Sequence, residues 1–103
     1  MNIHKPWLTS YPPGVPDTID TSAYSSLLDL FDEAFLRFRN RKAFSCLGVS
    51  LSYRELNLAA AEFAAYLQGL GVKQGARVAL MMPNTLQYPI AVIGALQIGR
   101  AHV

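Results

Sequence analysis

The sequence predicts an α/β fold, in which an extended arm is followed by helices, a short β-hairpin and the start of a parallel sheet. Two observations favour this class. Apolar residues recur at helical spacing in two segments, and a short apolar run separates the second segment from a third apolar stretch. A helix, strand, helix order is typical of parallel α/β proteins, because parallel strands are usually connected by a helix.

Residues 1–23 are expected to form an extended arm, because residues that interrupt regular structure recur in it: Pro6, Pro12, Pro13, Gly14 and Pro16. Trp7 and Tyr11 are candidates to hold this arm against a neighbouring surface. Packing against its own domain is favoured over anchoring in a membrane. Residues 24–99 are then expected to form one partial domain.

A first helix is predicted from Ser26 onward by an apolar stripe at three- and four-residue steps: Leu27, Leu30, Phe31, Ala34, Phe35 and Phe38. Ser26, with Asp29 three residues later, resembles a helix cap. Glu33 and Arg37 are four residues apart, which is a weakly favourable spacing for an ion pair.

Residues 43–51 change to the shorter period of strands and predict a hairpin around Gly48. Ser52 and Glu55 have the spacing of a capping box at the start of a second helix. Gly71 is expected to end that helix in a left-handed conformation. The helix carries one broad apolar face: Leu56, Ala59, Ala60, Phe63, Ala64, Leu67 and Leu70.

Residues 77–81 are almost entirely apolar and predict a buried parallel strand. A third helix is expected after it, with Asn84 as its cap, Gln87 at the box position and Pro89 near its start. Residues 88–96 are apolar on nearly every face, so this helix is expected to be buried.

Composition limits the function before any motif is considered. The 103 residues suffice for one small domain, and 51% hydrophobic against 16% charged residues argues against disorder. The net charge of +2 is too small to indicate nucleic-acid binding. One cysteine excludes a disulfide framework and a cysteine-built metal site. Without a visible export signal or a continuous apolar span, the expected compartment is the cytoplasm.

No complete catalytic, cofactor-binding or metal-ligating set is visible in the sequence. The glycines Gly69, Gly71 and Gly75 follow a helix and precede a strand, whereas a phosphate loop follows a strand and opens a helix. Cys46 is interpreted as a packed cysteine, because a catalytic thiol needs a basic partner and the only histidines lie near the chain ends, at His4 and His102. The sequence therefore predicts no catalytic, no cofactor-binding and no metal-ligating residue in this chain.

A cluster of cations at the end of the first helix has two interpretations: Arg37, Arg39, Arg41 and Lys42. It could contact anionic lipid. A solvated helix end is the simpler interpretation and is favoured by the sequence alone.

Four motifs resemble the amino-terminal region of the adenylate-forming acyl-CoA synthetases. They are LSYREL at 51–56, FAAYLQ at 63–68, GLGVKQGARVALMMPN at 69–84 and QYPIAVIGAL at 87–96. The arm KPWLTSYP at 5–12, with Val15-Pro16, is similar to the start of bacterial long-chain fatty acid–CoA ligases. Ala76 departs from the acidic residue usual before Arg77, which affects only a turn.

This resemblance implies the incomplete amino-terminal part of the large domain of a two-step ligase. In such enzymes a fatty carboxylate attacks the α-phosphate of Mg-ATP, and the thiol of CoA then displaces AMP from the acyl-adenylate. The implied ligands are therefore fatty acid, ATP, Mg²⁺ and CoA for the full-length protein, with none bound to this segment. The family's phosphate loop, ribose contact and catalytic lysine match nothing in residues 1–103, so this segment alone is expected to be inactive. Peripheral association with the inner face of the cell membrane is a further expectation.

Residues 100–103 are expected to be a non-native tail. The family continues after Gly99 with a hydrophobic strand, whereas this chain has Arg100, Ala101, His102 and Val103. The bases ATC GGA AGA GCA CAC GTC, which resemble a sequencing adapter, encode IGRAHV at 98–103. Ile98 and Gly99 also fit the family, so the origin of these two residues stays open.

Two alternative functions are also compatible with the sequence. The first is another adenylate-forming ligase, acting on an aryl or amino acid. The second is a non-catalytic α/β interaction module, which would have to cover the apolar third helix on all sides.

Overall fold

The computed structural model describes residues 4–99, so the predicted tail at 100–103 lies outside the described residues. The elements follow one another as a 3₁₀ helix at Pro6–Ser10, α1 at Leu27–Arg37, β1 at Lys42–Cys46, β2 at Val49–Ser52, α2 at Tyr53–Gly69 and α3 at Gln87–Leu96. The helical and hairpin elements expected from the sequence are confirmed. The arm differs from the expectation in one respect, because it contains the 3₁₀ helix.

The 3₁₀ helix forms because proline fits the first helical position, where its missing N–H would have no partner. The hydroxyl of Thr9 donates to the carbonyl oxygen of Pro6 at 3.0 Å and supports the turn. Trp7 remains about half exposed, and Tyr11 is also exposed. The aromatic residues of the arm are therefore only partly covered by the rest of the described chain.

Helix α1 begins as the sequence predicts. The hydroxyl of Ser26 accepts a hydrogen bond from the backbone N–H of Asp29 at 3.2 Å. The apolar stripe of α1 buries Phe35, which is only 6% exposed, against α2. Glu33 and Arg37 form the expected pair at 4.0 Å, and both side chains are largely exposed. Exposed pairs of this kind contribute little to the free energy of folding.

The hairpin pairs β1 with β2 in an antiparallel register, with Ser45 opposite Ser50 and their hydroxyls 2.8 Å apart. Its two-residue turn has positive φ at both central positions, 50° at Leu47 and 81° at Gly48. This is the arrangement that matches the natural twist of paired strands. Leucine rarely adopts such a φ, so the strand register imposes this conformation.

The capping box at the start of α2 is complete. The Ser52 hydroxyl accepts from the backbone N–H of Glu55 at 3.1 Å, and the Glu55 carboxylate accepts from the backbone N–H of Ser52 at 3.1 Å. The helix ends with the expected left-handed Gly71, at a φ of 91°. The Val72 N–H donates to the Leu67 carbonyl oxygen at 3.1 Å, which satisfies a carbonyl left open by the helix end.

Helices α2 and α3 pack against each other to form the core. The buried residues of α2 are Leu56, Ala60, Ala64 and Leu67, and those of α3 include Ala91, Ile93 and Gly94. A Cβ at Gly94 would lie 2.8 Å from the backbone oxygen of Ala60, which is closer than two such atoms can approach. Glycine at this position is therefore what lets the two helices come together.

The predicted parallel strand does not form. Residues 77–81 have no strand pairing, Met81 is 97% exposed, and the sheet of the described residues is the antiparallel hairpin alone. A strand is stabilised by hydrogen bonds and side-chain contacts with neighbouring strands, so an apolar run without a partner stays irregular. The expectation of a parallel sheet is therefore wrong for the described residues.

The start of α3 also differs from the prediction. The helix begins at Gln87 with Leu86 at the cap position, and no side chain caps it. Asn84 lies in a turn ahead of the helix, where the N–H of Thr85 donates to the carbonyl oxygen of Pro83 at 2.8 Å. That turn uses the residues expected to form the first helical turn. Pro89 falls at the third helical position, where its missing N–H has no cost. Helix α3 is buried along one side, and Leu96 is 41% exposed.

Candidate functional site

A large concave feature of residues 4–99 is an apolar groove between α1, β1 and the beginning of α3. Phe31 and Phe35 line it from α1, residues 43–46 from β1, and Val92 from α3. Residues 84–86 and two residues of α2, Tyr53 and Leu56, complete the lining, and the groove has a volume of about 630 Å³. We take this apolar groove as the candidate site, since binding sites are usually concave and mostly apolar.

The chemistry of the apolar groove is that of a packing surface. Among its lining residues there is no Asp, Glu, Lys, Arg or His. Polar groups are supplied by Ser45, Thr85, Asn84, the Tyr53 and Tyr88 phenols and the Cys46 thiol. Such a surface can bury apolar side chains, but it offers no charge to stabilise a developing phosphate or carboxylate anion.

Cys46 is half-buried in the apolar groove, with a free thiol. The thiol donates a long hydrogen bond to the carbonyl oxygen of Asn84, with the sulfur 3.9 Å from that oxygen. A carbonyl cannot accept the thiol proton as a general base does. The packed interpretation of this cysteine is therefore consistent with the structure.

The glycine segment has the geometry of a helix end. Gly69 is the last residue of α2, Gly71 is the left-handed residue after it, and Gly75 has a φ of 91° in the following turn. The N–H of Ala76 donates to the Lys73 carbonyl oxygen at 3.0 Å and closes that turn. No helix opens directly after these glycines, so their N–H groups do not form an anion site at a helix start.

The serines near the hairpin have structural partners. Ser50 and Ser45 share a cross-strand hydrogen bond, and Ser52 caps α2. Within residues 4–99, no group of three or more His, Cys, Asp or Glu side chains could hold a metal ion. The sequence-based expectation of no catalytic, cofactor-binding or metal-ligating residue in the whole chain stays a prediction.

Altered pKa values in the described part of the chain arise from a turn, a helix cap and one side-chain contact with α1. The backbone N–H of Ser52 lowers the pKa of the Glu55 carboxyl, because that hydrogen bond favours the charged form. The Ser22 hydroxyl lowers the pKa of Asp20 in the same way, and a hydrogen bond with Glu33 raises the pKa of Tyr24. None of these groups lines the apolar groove.

The sequence indicates only part of the groove. The helical stripe of α1 and the alternation of β1 predict two of its walls. The contribution of residues 84–86 has no sequence signal, because the sequence pattern predicts the start of the third helix there, whereas α3 begins at Gln87. In residues 4–99, no helix has the length and apolar character needed to cross a membrane.

The comparisons with known proteins concern nearly the whole chain. The AMP-binding enzyme family matches residues 31–103. The long-chain-fatty-acid–CoA ligase of Yersinia pestis is 50% identical over 98 residues, which cover 94% of this chain and 17% of that protein. The ligase of the same name from Bacillus subtilis is 33% identical over 99 residues, which are 96% of this chain and 18% of that protein.

A shorter match extends to a differently named protein. An adenylate-forming reductase of Coprinopsis cinerea is 40% identical over 57 residues, covering 55% of this chain and 6% of the reductase. No solved structure matches. The chain spans about 17% of the length of the Yersinia ligase, so the relatives contain a large region that has no counterpart here. Because the family match covers more than half of the sequence, this chain belongs to the AMP-binding enzyme family.

Proposed function

We propose that this chain is the amino-terminal scaffold of the large domain of a long-chain fatty acid–CoA ligase. In the complete enzyme, a fatty acid carboxylate would attack the α-phosphate of ATP and release pyrophosphate. The CoA thiol would then attack the acyl carbonyl and release AMP. The residues described here would hold the shape of the domain and would not touch the reacting atoms.

The observation that carries this proposal is the combination of an open apolar groove with the unpaired run at 77–82, which extends the predicted strand by Met82 and is apolar after Arg77. Both are surfaces that a finished domain buries, since large exposed apolar patches mark contact sites. The relatives have a further region, about five times as long as this chain, that is available to cover them. An independent interaction module would have to cover these surfaces itself.

The described residues do not fit a Mg-ATP site. They lack a cluster of three metal-ligating side chains, and their glycine turn follows a helix. We therefore assign the binding of ATP, Mg²⁺ and CoA to the region that only the longer relatives contain. That ligand set comes from the family resemblance and from the names of the relatives.

A second candidate activity is another adenylate-forming reaction. The 57-residue match to an adenylate-forming reductase favours it, because this segment is shared by proteins with different names and activities. The higher identity and wider coverage of the ligases favour the fatty acid–CoA ligase. A panel of long-chain, aryl and amino acid substrates distinguishes the two.

Reconstitution tests the scaffold proposal. This chain is mixed with the Yersinia ligase lacking the 98 matched residues, without lipid, and fatty acid-dependent ATP consumption is measured. We expect a one-to-one complex that forms acyl-CoA, and no activity from this chain alone. Activity of the isolated chain, free of contaminating enzyme, would overturn the proposal, as would a cooperatively folded monomer that ignores the partner.

A matched pair of variants sharpens the reconstitution. Met81→Lys and Leu47→Lys each place a charge on a side chain that is 97% or 98% exposed in this chain. Met81 lies in the unpaired run, and Leu47 lies at the tip of the hairpin outside the apolar groove. We expect Met81→Lys to abolish complex formation and Leu47→Lys to leave it unchanged.

We propose a cytoplasmic protein that associates peripherally with the inner face of the membrane. The lack of a membrane-crossing helix among residues 4–99 and the bacterial relatives are consistent with it. Fractionation of cells tests this: we expect the protein in the membrane pellet at low salt and in the supernatant at high salt. Retention in the pellet after both salt and carbonate washes would contradict it.

The non-native origin of residues 100–103 also remains a proposal. The family match extends through Val103, so it includes these four residues. Resequencing the locus with a different library preparation decides the matter. We expect the frame to continue into a hydrophobic segment after Gly99, and a genuine stop codon directly after Val103 would contradict the proposal.

A further inference from the structure

We propose that a basic patch, defined as Arg37, Arg39, Arg41, Lys42 and Arg54, docks this chain onto an anionic lipid surface. The chain has nine Lys and Arg residues, and five of them fall within residues 37–54, where there is no Asp or Glu. The other four share the rest of the chain with all seven acidic residues. The positive and negative residues behind the net charge of +2 are therefore unevenly distributed along the chain.

The fold brings these five cations to one place. The backbone N–H of Arg54 donates to the carbonyl oxygen of Arg39 at 3.0 Å, and the N–H of Tyr53 donates to the carbonyl oxygen of Arg41 at 3.0 Å. Lys42 lies opposite Ser52 in the hairpin register. The start of α2 is thus joined directly to the segment after α1, so Arg54 adds to the cluster visible in the sequence.

An aromatic ring organises two of the arginines. The guanidinium carbons of Arg37 and Arg41 each lie 5.5 Å from the centre of the Phe38 ring. Contacts of this kind hold a guanidinium in place without neutralising its charge. All five residues of the basic patch are exposed, as contact with a surface requires.

Three carboxylates border the basic patch. Glu33 pairs with Arg37 at 4.0 Å, Glu55 is held by the backbone of Ser52, and Asp32 lines a cleft beside the arginines. The five cations outnumber these three carboxylates, of which Glu33 pairs with Arg37 and Glu55 caps α2. The patch therefore keeps an excess of positive charge.

A cleft beside the basic patch favours a lipid surface over a dissolved anion as the binding partner. Arg39 and Arg54 line it together with Leu36 and Leu58, and its volume is about 470 Å³. Leu36 is 80% exposed and Leu58 is 56% exposed. Guanidinium groups bind phosphate oxygens, and adjacent leucines enter the boundary between headgroups and acyl chains. A dissolved phosphate ion would leave the leucines in water.

Vesicle binding tests this inference. The chain is sedimented with vesicles of pure phosphatidylcholine and with vesicles containing one-third phosphatidylglycerol, at low and high salt. We expect binding that requires phosphatidylglycerol and falls with salt. The variant Arg39→Gln/Arg41→Gln/Lys42→Gln is expected to bind at least about tenfold more weakly. The control Lys5→Gln/Lys73→Gln/Arg77→Gln removes the same charge elsewhere and should retain binding.

Each other outcome overturns the inference. Equal binding to both vesicle types would show adsorption through the exposed apolar groove, and an equal loss in both triple variants would show that only net charge matters. Binding of inorganic phosphate without binding of vesicles would assign the basic patch to a dissolved anion.

The inference deepens the membrane association proposed above. Reconstitution is measured without lipid, so a failure of one experiment does not imply failure of the other.

Discussion

The contact between α2 and α3 and the run at 77–82 are both mainly apolar, yet only the first is buried by packing partners within the described chain. In the helix contact, Gly94 fits against the backbone of Ala60, and Leu56 is only 2% exposed. In the run, Met81 is 97% exposed and no strand pairing occurs. The difference is the availability of a partner. A helix forms its backbone hydrogen bonds internally and needs a neighbour only for packing of its apolar face. A strand needs neighbouring strands both for its backbone hydrogen bonds and for packing of its side chains.

The largest effect on stability is expected from a substitution in the contact between α2 and α3. Leu56→Ala removes a buried side chain and leaves a cavity, which should lower the free energy of unfolding by about 2–5 kcal/mol. The control Leu47→Ala changes a leucine that is 98% exposed. Urea denaturation followed by circular dichroism measures both. Equal effects would show that the helix contact is no more ordered than the hairpin tip.

Two glycines in helices give opposite expectations. Gly94→Ala places a Cβ 2.8 Å from the Ala60 oxygen, and overpacking of this kind should destabilise by about 1–3 kcal/mol. Gly69→Ala meets no atom within 4 Å and should be neutral or stabilising by up to about 1 kcal/mol. The two midpoints in urea report the sign. A stabilising Gly94→Ala would mean that α2 and α3 do not approach closely.

Removing the helix cap should have an intermediate effect. Ser52→Ala loses the hydroxyl that accepts the N–H of Glu55 and should cost about 1 kcal/mol. Ser10→Ala, in the exposed arm, is the control and should leave the urea midpoint unchanged. An effect of similar size in both variants would argue against the capping box.

The same cap predicts a pH dependence. Because the folded pKa of Glu55 is lowered, its contribution to stability is present at neutral pH. That contribution is lost as the pH falls through the folded pKa, below the ordinary range of glutamate. Glu55→Gln should therefore unfold with a weaker acid dependence than the unaltered chain. Identical urea midpoints for the two proteins across the acid range would contradict this origin of the pKa shift.

The smallest effect is expected in the unpaired run. Met81→Lys should change the free energy of unfolding by no more than about 0.5 kcal/mol in the isolated chain, since the side chain is already in water. The same substitution is expected to abolish reconstitution. A large destabilisation of the isolated chain would show that residues 77–82 already pack against it.

Elements defined by neighbouring residues could be predicted from the sequence, and elements defined by distant residues could not. The Ser52–Glu55 box, the Gly48 hairpin and the Gly71 helix end depend on residues a few positions apart, and all three are confirmed. The apolar character of residues 77–81 predicts a strand, but formation of a strand depends on pairing with other strands. The same limit applies to the apolar groove, where a distant turn at 84–86 joins walls built by α1 and β1.

Amide hydrogen exchange at residues 77–82 tests the scaffold role most directly. The exchange rates are compared in the isolated chain and after addition of the Yersinia ligase lacking the matched region. The scaffold role predicts fast exchange in isolation and strong protection in the complex, because new strand neighbours would accept and donate hydrogen bonds. Strong protection in the isolated chain, or fast exchange that persists in a formed complex, would contradict it.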